Sequence, residues 1–256
     1  MKLARILLLP CLIVMTEGPL LAQPPLRVLF IGNSQMSCYD LPQMIKFLSE
    51  SAPADSPRME IGRALLGGKG LKGYWEAGEG RGSPRAMIAA GKWDYVVIQE
   101  IFNANEQDFQ DYAARFDKEI RKAGSKTILF ATANVTQYYS ASYRYPGSFK
   151  KLNDMQMSFG KKAGIPVAAA GYAWMKYWGP NPSEEETLDL YHKDKGHPGP
   201  KGTYIYACLL YAAITGKTPE GLACEFKNIR GGITLAKEEA AKMQKAAWAQ
   251  HQESLK

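Results

Sequence analysis

The chain is short of the features that mark several classes of function. It has four cysteines in 256 residues, with no C-x-x-C pair and no Cys/His cluster, so a structural zinc site or redox dithiol is not expected. The formal charge is +7, yet no run of five basic residues occurs and Asp and Glu are interleaved with Lys and Arg. Bulk charge of that kind bears on solubility and non-specific attraction. The basic and aromatic alternation of a nucleic-acid reader is missing, so no nucleic-acid partner is expected. No apolar stretch approaches the ~20 residues that span a bilayer. The G-x-S-x-G elbow of the α/β-hydrolases is absent, and the Gly-rich turn Gly67–Gly70 is read as lacking both P-loop and dinucleotide-binding spacing.

At the amino end, Lys2 and Arg5 precede the apolar stretch Ile6–Met15, and Leu20-Leu21-Ala22 precedes polar Gln23. Residues 1–22 therefore read as an export signal cleaved after Ala22, which places the mature chain outside the cell or in the periplasm without stable membrane insertion. Pro10 before Cys11 fits a lipoprotein processing site poorly. Cys38, Cys208 and Cys224 remain after cleavage, an odd set that allows at most one intramolecular disulfide.

Residues 23–235 read as one domain and 236–256 as a helical tail. Apolar runs of strand length at Leu26–Ile31, Trp93–Ile98, Thr127–Thr132 and Ile165–Ala170, with a weaker one at Arg58–Leu66, suit strands buried on both faces of a parallel sheet. Helices are expected from helical spacing at Leu41–Leu48 and Phe109–Ala123, at Ser148–Ala163 before Gly164, and at the strongly apolar Thr203–Thr215 after the last strand. Five strands with intervening helices predict a three-layer α/β/α sandwich around a five-stranded parallel sheet, of flavodoxin-like type. Functional groups of such sheets gather beyond the carboxyl ends of the strands. Ser34, the Gly68 turn and Gln99 each stand just past a predicted strand.

A serine hydroxyl becomes a nucleophile only with a base in reach. Ser34 sits in Gly32-Asn33-Ser34, where a turn or N-cap role is the simpler alternative. A D-x-x-H spacing occurs twice, as Asp189–His192 and Asp194–His197. Either places a carboxylate at one imidazole nitrogen and leaves the other for a serine. Gly196 permits a sharp turn and Pro198 holds His197 extended, which favours the second copy. His251, in the polar tail, is expected to be solvated. For the oxyanion, backbone N–H groups of Ser34 and Gly68 are candidates, with a side-chain amide from Gln99 or, in its place, Asn103. Glu100 is an alternative acid, although its charge would oppose a developing oxyanion.

In order, these blocks resemble the SGNH (GDSL-like) hydrolase superfamily. Gly32-Asn33-Ser34 is similar to its nucleophile block, Gly68 to its second-block glycine, and Asp194-Lys195-Gly196-His197-Pro198 to its D-x-x-H block. The family's histidine precedes the glycine that opens the last helix, as His197 precedes Gly202, so the resemblance selects His197 over His192. Trp93–Glu100 resembles a bacterial branch similar to carbohydrate O-acetylesterases. The likeness covers residues 26–220 and implies a cofactor-free serine esterase using Ser34, His197 and Asp194 on a small-molecule or polysaccharide ester. Tyr74, Trp75, Trp174 and Trp178 are candidates to stack on a sugar, with packing in the core as the equal alternative. Two departures stand out: Gln99-Glu100-Ile101-Phe102-Asn103 replaces the family's G-x-N-D block, and Gly199 stands where the branch often has Ser. A lipid-directed esterase, a noncatalytic carbohydrate-binding module and a nucleotide binder are the alternatives.

Overall fold

The computed structural model describes residues 24–133, 147–229 and 231–256. The expected export signal, Cys11 and the polar Asn134–Tyr145 stretch lie outside the described residues. β1 (Leu26–Gly32) runs into a short helix α1 (Ser34–Ser37) and then α2 (Leu41–Ser51). β2 (Met59–Leu65), α3 (Leu71–Glu76), α4 (Pro84–Ala89), β3 (Tyr95–Ile98), α5 (Glu106–Lys122) and β4 (Lys126–Ala131) follow. Next come α6 (Gly147–Ala163), β5 (Val167–Ala169), α7 (Ala170–Trp178), α8 (Glu184–Asp189) and α9 (Pro200–Thr215). A small β6–β7 hairpin (Glu225–Phe226 with Ile233–Thr234) and α10 (Lys237–Ser254) complete the chain.

The main sheet has five strands in the order β2-β1-β3-β4-β5, all parallel. Its two faces follow from residue alternation in β1. Val28 and Phe30 join one buried cluster with Met44, Leu48, Trp174, Tyr206 and Met243. Leu29 and Ile31 join the other with Val96, Ile98, Phe109 and Phe116. Because strand order reverses beside β1, the crevice between β1 and β3 lies at the carboxyl edge where ligands of such sheets bind.

Helix starts are set by short polar side chains. Asn105 accepts from the Asp108 N–H at the head of α5, and Ser183 with Glu186 forms a capping box on α8. The carboxyl-terminal stretch is part of the core. α10 packs on α7 and α9, and Gln244 of α10 donates to the Tyr204 hydroxyl at 2.7 Å. His251 is buried against the Trp248 ring, which corrects the expectation that it is solvated; desolvation lowers its pKa. A run rich in Ala, Lys, Gln and Glu hides this docking because its buried face is made largely of Ala and Gln. Cys38, Cys208 and Cys224 form no disulfide.

α9 can lie against α7 only because residue 202 has no side chain. A Cβ there would fall 2.3 Å from the Leu190 carbonyl oxygen and 2.3 Å from the Trp174 ring. In an open helix Gly→Ala stabilises by about 1 kcal/mol. Gly202→Ala is expected to reverse that sign and cost roughly 1–3 kcal/mol by overpacking, read as a lower urea midpoint. A midpoint at or above wild type would mean the contact is not tight.

Candidate active site

Ser34 is the first residue of α1, at the tip of β1. Asn33 caps that helix, its Oδ1 accepting from the Gln35 N–H at 3.1 Å, and Met36 anchors it from the core. The hydroxyl is thus held at the mouth of the β1/β3 crevice, half-buried.

From the far end of the sequence comes a closed loop. The His192 N–H donates to the His197 carbonyl at 2.8 Å, and Lys195 N–H to the His192 carbonyl at 2.8 Å. Inside it, Asp194 Oδ1 accepts from the N–H groups of Gly196 and His197 at 2.9 and 3.0 Å. The other oxygen, Oδ2, lies 2.8 Å from His197 Nδ1, and His197 Nε2 lies 2.8 Å from Ser34 Oγ. With the imidazole proton on Nδ1, the ring donates to Asp194 and accepts from the Ser34 hydroxyl, the arrangement that prepares a serine for attack. Burial pushes the Asp194 carboxyl up, but those N–H groups and the imidazole outweigh it and hold the pKa down at about 2. Gln35, which sequence reasoning passed over, locks the two halves together: its buried Nε2 donates to the Gly196 carbonyl at 3.0 Å.

The two D-x-x-H copies separate cleanly. Asp189 pairs with Lys201 at 2.6 Å, and His192 turns to Asp194, with Nδ1 3.2 Å from Oδ2. Gly199, one of the departures from the branch, is explained by this loop. A Cβ at that position would fall 2.6 Å from the Tyr191 carbonyl oxygen.

Gln99 does a different job from the one its place suggests. Its Oε1 accepts from the Asn33 N–H at 3.0 Å and its Nε2 donates to the Glu100 carbonyl, so the buried amide supports the nucleophile turn from beneath. Asn103 stands exposed in the turn after Ile101. Gly68 has φ +70 and open space where a side chain would be. The Asn33 side chain ties this turn to Ser34's, with Nδ2 donating to the Lys69 carbonyl at 3.0 Å.

Burial corrects two of the expected sugar-stacking residues, Trp174 and Tyr74. Trp174 is fully buried, stacked on Tyr206. Tyr74 is buried with its hydroxyl 2.6 Å from the Gly32 carbonyl oxygen, and desolvation pushes its pKa up to about 12. Trp75 lies under the Arg85 guanidinium, 4.1 Å from the ring centroid, with its edge against Phe116. Trp178 donates its indole N–H to the Glu186 carbonyl and packs edge-on to Trp174. Trp75 and Trp178 keep part of their surface exposed, and for Tyr74 and Trp174 burial carries no signature in their spacing.

The Gly67–Gly70 turn also opens α3, and Gly68, Gly70 and Gly73 fall at G-x-G-x-x-G spacing, which corrects the reading that dinucleotide-binding spacing is missing there. The head of α3 is occupied, however, by the Glu100 carboxylate, which accepts from the Leu71 N–H at 3.1 Å. An anion there would meet a carboxylate, which weighs against phosphate binding. Among the described residues, no group of three or more His, Cys, Asp or Glu side chains is placed to hold a metal, and no described helix is long and apolar enough to cross a membrane.

Glu100 is buried, and desolvation raises its pKa to about 6 against N–H bonds from Ile101 and Leu71; Asp108 adds to the rise. An acid with a raised folded pKa binds protons better folded than unfolded. Its contribution is whole below the ordinary value of 4.5 and is lost as pH climbs through about 6. The loss amounts to about 2 kcal/mol. Glu100→Gln is expected to melt with wild type near pH 4 and above it at pH 8; equal melting at both would refute the titration.

Comparison with known proteins bears on the fold. No family model and no curated protein sequence matches the chain. Solved structures do. A candidate SGNH hydrolase from Slackia heliotrinireducens aligns with TM-score 0.58 at 20% identity, over 75% of this chain and 100% of that one. A mutant of an acetyl-xylooligosaccharide esterase from Geobacillus aligns with TM-score 0.51 at 13% identity, over 73% of this chain and 93% of that one. An acetyl xylan esterase aligns with TM-score 0.51 at 13% identity, over 74% and 100%. The five-stranded parallel sheet with its flanking helices is the SGNH hydrolase fold.

Proposed function

We propose that this chain is a serine hydrolase of carboxylic esters. The observation that carries the proposal is the unbroken line Ser34 Oγ, His197, Asp194, with both links at 2.8 Å. In this reading Ser34 Oγ attacks the ester carbonyl carbon while His197 Nε2 takes the hydroxyl proton. The backbone N–H groups of Ser34 and Gly68 hold the oxyanion. As the tetrahedral species collapses, the carbon–alkoxide bond breaks, His197 returns its proton to the leaving alcohol, and the acyl group stays on Ser34. Water, deprotonated by His197, then attacks the acyl carbon; the bond from that carbon to Ser34 Oγ breaks, His197 returns the proton to Oγ, and the free acid departs. Asp194 keeps the imidazole in the required tautomer and stabilises it when charged.

The substrate we propose is an O-acetylated carbohydrate met outside the cell or in the periplasm. The acetyl xylan esterases of like fold support it, together with the amino-terminal export pattern. A lipid-directed esterase is the second reading, favoured by Leu66, which is 55% exposed immediately before the Gly67–Gly70 turn.

The mature protein is expected to hydrolyse p-nitrophenyl acetate, and Ser34→Ala and His197→Ala to lower kcat/KM by on the order of 10³-fold or more with the fold intact. His192→Ala should cost far less; the converse ranking would move the base to His192, and inactivity of wild type would favour a binding module. Acetyl esters should turn over faster than octanoyl esters, and acetylated xylan faster than lysophospholipid. The opposite preference would establish the lipid reading.

A further inference from the structure

Two adjacent side chains past β3, Gln99 and Glu100, stand where the resemblance leads one to expect an oxyanion donor, and both are turned away to grip backbone. Resting on the esterase reading above, we infer that Glu100 is a positioning residue that fixes the Gly67–Gly70 turn, and with it the Gly68 N–H, against the nucleophile.

Glu100 is only 3% exposed, and a single oxygen, Oε1, accepts from two N–H groups: Leu71 at 3.1 Å and Ile101 at 2.7 Å. Leu71 is the first residue after the glycine turn. The fit is close enough to dictate composition, since a Cβ on Gly70 would fall 2.3 Å from Oε1. The turn needs such a hold. Gly67 and Gly68 have no neighbour within 4 Å of a would-be Cβ, and glycine backbone loses the most freedom on being ordered. Backbone bonds hold the turn through Lys69 N–H to the Leu66 carbonyl at 3.2 Å, Tyr74 N–H to the Gly70 carbonyl at 3.1 Å and, just before it, Leu66 N–H to the Gly32 carbonyl at 3.1 Å. Side chains tie it at Lys69 by Asn33 and at Leu71 by Glu100. Removing Glu100 takes away the side-chain tie at the carboxyl end of the turn and leaves the Asn33 tie at Lys69.

A carboxylate here is otherwise poorly chosen. Burial disfavours its charge, Asp108 on α5 opposes it, and a negative group near a developing oxyanion works against it. What it supplies is an acceptor able to take two N–H groups, and a glutamine carbonyl oxygen at the same place can do the same.

The test compares Glu100→Leu and Glu100→Gln, with Ser34→Ala as control, by steady-state kinetics on p-nitrophenyl acetate and by amide hydrogen exchange. Glu100→Leu is expected to lower kcat by about 10- to 100-fold, since small misplacement of catalytic groups has effects of this order, with KM within about twofold. Exchange of the 67–71 amides should quicken. Glu100→Gln should keep kcat within about threefold of wild type and retain slow exchange at Leu71. Should Glu100→Leu fail to fold, Glu100→Met carries the same expectation. Ser34-dependent turnover that Glu100→Leu or Met leaves unchanged, or that Gln and Leu reduce equally, overturns the inference alone. Absence of any Ser34-dependent turnover overturns the esterase reading and this inference with it.

Discussion

The organisation of the site depends on one hydrogen bond, 2.8 Å between Ser34 Oγ and His197 Nε2, joining residues 163 apart in sequence. Neither group is reactive in isolation at neutral pH, and their pairing is an outcome of the whole sheet. β1 must end at Gly32 for α1 to start at Ser34, and α9 must begin at Pro200 for the preceding loop to return to it. That loop is closed on itself, through the bonds between His192 and His197 and through Asp194, before it meets the serine. The entropic cost of bringing the residues together is therefore met largely by the fold and the loop's own bonds, and the Gln35 contact to Gly196 adds a direct fastening.

A second consequence concerns where the stabilising bonds lie. Each element of the turn region is gripped by a residue from another strand end. Tyr74 of α3 bonds the Gly32 carbonyl at 2.6 Å, Gln99 receives the Asn33 N–H, and Asn33 reaches the Lys69 carbonyl. The first two of these bonds between polar groups and backbone are buried and the third is partly buried, so water competes little with them. The carboxyl edge of the sheet is thus stiffened around backbone N–H groups, where electrostatic stabilisation of a transition state requires that donors be in place beforehand.

Much of this architecture was legible in the sequence. The apolar runs at Leu26, Trp93, Thr127 and Ile165 located four strands to within a few residues, because a parallel strand buried on both faces has no polar alternation to blur it. The Ser34, Asp194 and His197 constellation was legible through spacing together with resemblance, and the loop geometry shows why spacing alone could not choose. Asp189 and His192 have the same separation, but α8 carries Asp189 toward Lys201. What was not legible depends on burial. Tyr74 and Trp174 have the composition of a sugar platform and the environment of packing residues. His251 has polar neighbours in sequence and a buried ring in space. Short helices such as α3, α4 and α8, at six residues each, carry too few periodic positions to register.

The departure at Gln99-Glu100 has a physical logic. An oxyanion donor on a side chain is direct but must itself be held, since a free amide rotates and solvates. Backbone N–H groups in a glycine turn cannot rotate away independently, but the turn that carries them is soft. A chain that relies on backbone donors gains more from side chains that stiffen the turn than from another donor. In the esterase reading proposed above, Gln99 and Glu100 would serve in that way, one under the residue before Ser34 and the other on the residue after Gly70. The buried carboxylate disfavours the folded state at neutral pH, and such local conflict with stability is expected where function and folding make different demands on the same residue.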